Sequence, residues 1–186
     1  MRNLLLPLLL VLSYALTAQD ATFLQRHLSY KDGKIFYQKV VEVEDASVKD
    51  MFVSAKIWAN DAFGVTKNDL QVEELERGLL VFVGSVIDDR MTNVSNPTQS
   101  FKLKLEFKEG KYRYTMYDFI TSYEADDFLF NKAIEEFLAE YVGNGSIPQK
   151  RKKGISDYLL HLNRSFLLLM DDLEKELKGG NSDDDW

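Results

Sequence analysis

Two histidines, His27 and His161, are the only imidazoles in this chain, and no cysteine accompanies them. Asp157 and Ser165 flank His161 at four-residue spacing, which sets an acid, an imidazole and a hydroxyl along one helix face. A Ser–His–Asp relay needs its serine on a strained turn beside an oxyanion hole. One helix face provides neither, and Gly-x-Ser-x-Gly does not occur. His27 stands without a His-x-x-x-His or Glu-x-x-His partner, so it makes no metal site. Carboxylate doublets recur at Glu73-Glu74, Asp88-Asp89, Asp126-Asp127, Glu135-Glu136 and Asp171-Asp172. Glycoside hydrolysis needs two carboxyls converging across a cleft at about 5 to 9 Å, whereas neighbours on a strand or helix point apart. Asp183 to Asp185 lack the spacing of an EF-hand loop. No residue is therefore assigned a catalytic, cofactor-binding or metal-ligating role.

A different constellation holds together. In Ser100 to Asp118, SFKLKLEFKEGKYRYTMYD, apolar Phe101, Leu103, Leu105 and Phe107 alternate with Lys102, Lys104, Glu106 and Lys108. That is the period of a strand with one buried and one wet face. Glu109-Gly110 supplies a two-residue turn. Folding back on it sets Lys108 opposite Lys111, Phe107 opposite Tyr112, Glu106 opposite Arg113, Leu105 opposite Tyr114 and Leu103 opposite Met116. A slip of one residue would put every aromatic in water, so the pattern specifies the pairing. The wet face then carries a hydroxyl-bearing basic strip, Lys102, Lys104, Arg113, Thr115 and Tyr117, with Glu106 among them. Such a strip suits an anionic glycan or the acidic surface of a protein partner. It is also what any solvated sheet face looks like.

The elements around this hairpin follow in order. Ile35 to Val43 is rich in β-branched and aromatic residues and reads as a strand, entered through the turn Lys31-Asp32-Gly33-Lys34. Thr22 to Tyr30 is weakly patterned, a short edge strand at most. Ser47 is placed as the N-cap of a helix over Val48 to Phe63, with an apolar stripe at Val48, Met51, Phe52, Ala55, Trp58, Ala59 and Ala62. Gly64 ends it. Trp58 lies mid-stripe, as core residues do. Leu70 to Glu73 alternates, Glu76-Arg77-Gly78 reads as a hairpin loop, and Leu79 to Ile87 reads as a central strand whose Gly84 marks a bulge or close approach. After a polar loop and the hairpin, Asp126 to Tyr141 reads as a helix. Lys150-Arg151-Lys152-Lys153 sits in a linker that could touch an anionic membrane surface, and a last helix runs from Ile155 to about Leu177.

Composition narrows the classes. With 186 residues, 45% hydrophobic and 28% charged, the chain suits one globular domain with appendages. Met1-Arg2-Asn3 followed by the thirteen-residue apolar run Leu4 to Leu16 reads as a secretory signal peptide. The run is interrupted by Pro7 and is shorter than the roughly 20 residues that span a bilayer. Cleavage after Ala18 leaves Gln19 first, and cleavage after Ala15 is the second choice. The resulting division is a signal peptide at 1–18, an α+β domain at 19–142, a basic linker at 143–154, a C-terminal helix at 155–178 and a disordered acidic tail at 179–186. Without cysteine there is no acylated lipoprotein anchor, disulfide or thiol chemistry. The expected location is periplasmic or extracellular, with no transmembrane span in the mature chain. Its charge, 22 basic against 30 acidic residues, is −8, which argues against nucleic acid as a partner.

Four strings, DGKIFYQKVVEVEDAS, AKIWANDAF, LVFVGSV and LEFKEGKYRYTMYDF, resemble a family of exported bacterial proteins classed as a domain of unknown function with a TATA-binding-protein-like (TBP-like) fold. The resemblance covers roughly Gly33 to Phe119. It implies a curved antiparallel sheet of order β-α-β-β-β-β-α backed by helices, and it brings no catalytic residues. The expectation is an exported non-catalytic binding or accessory module without a cofactor, whose partner is a protein or anionic glycan of the cell envelope. The alternatives are a hydrolase acting on envelope or glycan material, and an assembly component that uses its C-terminal helix.

Overall fold

A computed structural model describes residues 28–87, 97–125, 128–143 and 147–179. A minute hairpin comes first, β1 (Tyr30–Lys31) and β2 (Lys34–Ile35). Its two turn residues, Asp32 and Gly33, both take positive φ, 52° and 79°, as a two-residue turn between twisted strands requires. Then follow β3 (Tyr37–Glu42), α1 (Val48–Phe63), β4 (Leu70–Glu74), a 3₁₀ turn (Leu75–Arg77) and β5 (Leu79–Ile87). The chain continues with β6 (Thr98–Lys108), β7 (Lys111–Ala125), β8 (Phe128–Ala133), α2 (Ile134–Val142) and α3 (Gln149–Leu177). The main sheet is antiparallel in the order β3-β7-β6-β5-β4, and β8 pairs with β7 beyond the end of β3.

Local chemistry explains why α1 begins and ends where it does. The Ser47 hydroxyl oxygen accepts the Asp50 N–H at 3.1 Å, and Gly64 closes the helix at φ 62°. Met51, Phe52, Ala55, Trp58 and Ala59 are buried, but Ala62 is exposed, and Phe63 turns inward instead against Trp58, Phe82 and Phe101. The β6–β7 register places Phe107 opposite Tyr112, Leu105 opposite Tyr114 and Leu103 opposite Met116, as the alternation predicts. All six of these side chains are buried. Gly84 lies so close to β6 that a Cβ would meet the Phe101 ring at 2.7 Å.

Three expectations are corrected. The chain does not turn helical after Asp118: β7 runs on to Ala125. Asp118 takes φ 54° at a bulge between Ser100 and Lys102, so the inward phase jumps from even positions to Phe119 and Thr121. The break in alternation is a phase shift, not a strand end. The region expected as a helix over Asp126 to Tyr141 is strand β8 followed by α2, which starts only at Ile134, with the first two residues outside the described ones. Short apolar runs satisfy both periods, and here cross-strand pairing with β7 wins. The basic segment expected as a linker at 143–154 is in large part helix, since α3 starts at Gln149. Arg151 pairs with Glu140 on α2, Lys153 pairs with Asp157 at 2.9 Å, and the Lys152 ammonium sits 4.9 Å from the Tyr141 ring centre. These contacts offset the cost of Gly154 inside a helix. The signal peptide, residues 22–27 of the weak strand ending at Tyr30, and all of the acidic tail but Gly179 lie outside the described residues, while Tyr30 itself begins β1.

The three helices cover one face of the sheet, and α3 is part of the core. Its Tyr158, Leu162, Phe166, Met170 and Leu173 are buried. Four polar links tie it down. The Tyr37 hydroxyl donates to Asn163 at 2.9 Å, the Trp58 indole N–H donates to Asp172 at 2.9 Å, and Lys39 pairs with Glu174 at 2.6 Å. The fourth is a closed ring: the Gln99 amide donates to the Tyr158 oxygen at 2.6 Å, the Thr121 hydroxyl donates to Gln99 Oε1 at 2.9 Å, and Tyr158 and Thr121 lie 2.7 Å apart. Gln99 and Thr121 are the buried polar side chains of the core, and each is satisfied by the others. Among the described residues, no helix is long and apolar enough to cross a membrane.

Candidate functional site on the open face of the sheet

With the helices on one face, strict alternation delivers the other side chains to the opposite face. Lys102 stands opposite Tyr117, Lys104 opposite Thr115 and Glu106 opposite Arg113, three alternate rungs of the β6–β7 ladder. All six residues of the expected strip are thus brought together on one open surface. Their electrostatics are more balanced than the sequence suggests. Arg113 grips Glu106 with two hydrogen bonds, at 2.9 and 2.8 Å, and Lys104 reaches the same carboxylate at 3.1 Å. Arg113 first, then Lys104, hold the Glu106 carboxyl below the usual range. Lys102 pairs with Asp118 at 2.9 Å, and this contact raises its own pKa.

Asp118 is a member of the strip that alternation cannot reveal, because the bulge turns it outward. Gln38 on β3 is another, donating to the Thr115 hydroxyl at 2.9 Å. Apolar side chains share the surface. Val40 on β3, opposite Arg113, is 54% exposed. Val83 lies opposite Lys102. The face is a mixed plane of paired charges, hydroxyls, exposed Val40 and half-buried Val83.

The other constellations disperse. Ser165 lies 3.1 Å from His161 Nε2, and Asp157 pairs with Lys153 at 2.9 Å. Glu73 pairs with Lys56 and Glu74 with Arg77, each carboxylate serving its own cation. Glu135 accepts the Ile35 N–H at 3.2 Å and Glu136 accepts the Ala133 N–H at 3.0 Å. The second of these caps α2. Asp172 is taken by Trp58, which is a core residue as its place in the stripe predicts. Among the described residues, no three His, Cys, Asp or Glu side chains gather as metal ligands. His27, Asp88-Asp89, Asp126-Asp127 and the tail aspartates lie outside the described residues.

A helix-backed antiparallel sheet with one open face defines an α+β protein of the TBP-like class. Residues 37–122 match the model of the family described as a domain of unknown function (DUF4468) with TBP-like fold. Two crystal structures share the architecture. A TBP-like protein from Parabacteroides distasonis ATCC 8503 is 17% identical, with a TM-score of 0.57 over 80% of this chain and 97% of that one. A DUF4468 family protein from Bacteroides ovatus ATCC 8483 is 11% identical, with a TM-score of 0.58 over 80% of this chain and 90% of that one. At these identities the likeness is one of fold. No curated protein matches the chain.

Proposed function

We propose that this protein is an exported, non-catalytic binding module that recognises its partner with the open face of the sheet. One observation carries the reading: the helices seal one face, and the six strip residues line up on the other with exposed Val40 beside them. Paired charges around apolar contacts suit a protein surface, since a partner can exchange ion pairs without stranding a buried charge. Export rests on the basic start and apolar run of residues 1–18. Two experiments test these parts separately. N-terminal sequencing of protein secreted by a bacterial host should read from Gln19, and recovery of Met1 from a membrane fraction would defeat export. For recognition, K102Q/K104Q/R113Q should lose chemical cross-links to the partner in the native cell while its thermal unfolding stays close to wild type. Unaltered cross-links in that variant would return the strip to plain solvated surface.

A further inference from the structure

The cations of the strip already have carboxylates, but two lysines beside it do not. Lys108 and Lys111 close the β6–β7 hairpin and stand directly opposite each other in the register. Both are exposed, and neither has a carboxylate partner among the described residues. Like charges in directly opposed positions are unfavourable. The nearest acid in the chain does not relieve them. Glu109 is drawn away, its Oε1 accepting the Val48 N–H at the start of α1 at 3.3 Å. Glu42 faces Lys111 across β3–β7 but forms no ion pair with it among the described residues.

The platform beneath these lysines is held in place. The Val43 N–H donates to the Gly110 carbonyl at 2.9 Å, and the Gly110 N–H donates to the Ala46 carbonyl at 3.0 Å. A shallow cavity of about 310 Å³ lies here, bordered by Val40, Glu106, Lys108, Lys111 and Arg113. Three cations thus surround one carboxylate that Arg113 and Lys104 already occupy.

Resting on the reading of the open face as the recognition surface, we propose that this corner binds an acidic polypeptide segment in extended form. Its carboxylates would occupy alternate positions, with an apolar side chain between them. The spacing favours a peptide. Lys111 and Arg113 are two residues apart on one strand, the same separation of about 6.8 Å that alternate side chains of an extended peptide have. An acid–apolar–acid segment lying along β7 sets its carboxylates against these two cations. Its apolar residue then points away from the sheet, as the side chain between two inward-facing residues of an extended strand does. Lys108 answers the first carboxylate from the adjacent strand.

The test is a fluorescence-anisotropy titration of the full chain with a labelled Asp-Val-Asp-Val-Asp-Val peptide. The proposal expects binding that weakens about tenfold in K108Q/K111Q, the effect of losing roughly one exposed ion pair per lysine. It also expects weakening as salt rises from about 50 to 300 mM, and none of the binding with the Asn-Val analogue. Both lysines are exposed, so unfolding curves of the variant should match wild type. Equal binding of the peptide by K108Q/K111Q, or no binding at low salt, would overturn the proposal. So would an oligogalacturonate that binds this corner where the peptide does not. If K108Q/K111Q still cross-links to the cellular partner while K102Q/K104Q/R113Q does not, the open face keeps its role and only the acidic-peptide corner fails.

Discussion

Tyr158→Phe probes how α3 is fastened to the sheet. The hydroxyl is one vertex of the ring formed with Gln99 and Thr121, accepting at 2.6 Å from one and lying 2.7 Å from the other. Thr121 spends its own proton on Gln99, so the Tyr158 proton must go to Thr121. Removing the hydroxyl deletes two hydrogen bonds and strands the Gln99 amide N–H at a site that is 2% exposed. A stranded buried donor costs about 1–3 kcal/mol. For a chain of this length each kcal/mol moves the melting temperature by roughly 2–4 °C, so the expected loss is about 2–12 °C. The same physics makes a second, stronger statement. Replacing all three groups with apolar counterparts, Q99L/T121V/Y158F, leaves nothing stranded and should cost much less than the sum of the three single variants. Thermal and urea unfolding of wild type, the three single variants and the triple variant give the comparison directly. The reasoning is refuted by a Tyr158→Phe protein within about 0.5 kcal/mol of wild type, or by a triple variant whose loss equals that sum.

Two further outcomes follow from packing and charge. Gly84→Ala forces its Cβ against the Phe101 ring, which Phe63, Phe119 and Phe166 hold in place, so it should destabilise by about 1–3 kcal/mol and be partly rescued by Phe101→Leu. A neutral Gly84→Ala in urea unfolding would mean that the ring gives way. Glu140, gripped by Arg151 and Lys132, has its carboxyl lowered from 4.5 to about 2. The folded-state value is depressed, so the stabilisation is full above pH 4.5 and disappears as pH falls towards 2. Wild type should therefore lose stability more steeply than Glu140→Gln across that interval, and parallel acid limbs would contradict the assignment.

The hairpin at the centre of the fold was legible because alternation, turn chemistry and cross-strand pairing all agree from Phe101 to Tyr117. Five of the six strip residues needed only that register, and Tyr117 needed it to hold to the last residue before the bulge. What lay past Asp118 was not legible. One left-handed residue moved the inward positions by one, and a window scored for strict alternation reads that as the end of a strand. The same shift concealed the Lys102–Asp118 pair, so the strip looked more basic than it is. Phe128 to Ala133 could not be separated from a helix by period alone, because its partner is supplied by β7 rather than by its own sequence. The basic segment misled for a related reason. Lys150 to Lys153 and Gly154 have linker chemistry in isolation, and only Glu140, Tyr141 and Asp157 give the cations a reason to form the opening turns of a helix. Lys108 and Lys111 were visible as an opposed pair, but their lack of a counter-ion among the described residues depends on where Glu109 turns, which is a tertiary fact.

The central claim is that recognition belongs to the open face and not to the helical side. Photo-cross-linking residues placed singly at Thr115, in the middle of the strip, and at Leu168, exposed on α3, test it most directly in the native cell. The account predicts that the Thr115 position captures a discrete partner, that K102Q/K104Q/R113Q in the same chain abolishes the capture, and that the Leu168 position captures none. Capture from Leu168 with a silent Thr115 would move the recognition surface to the helices and contradict it.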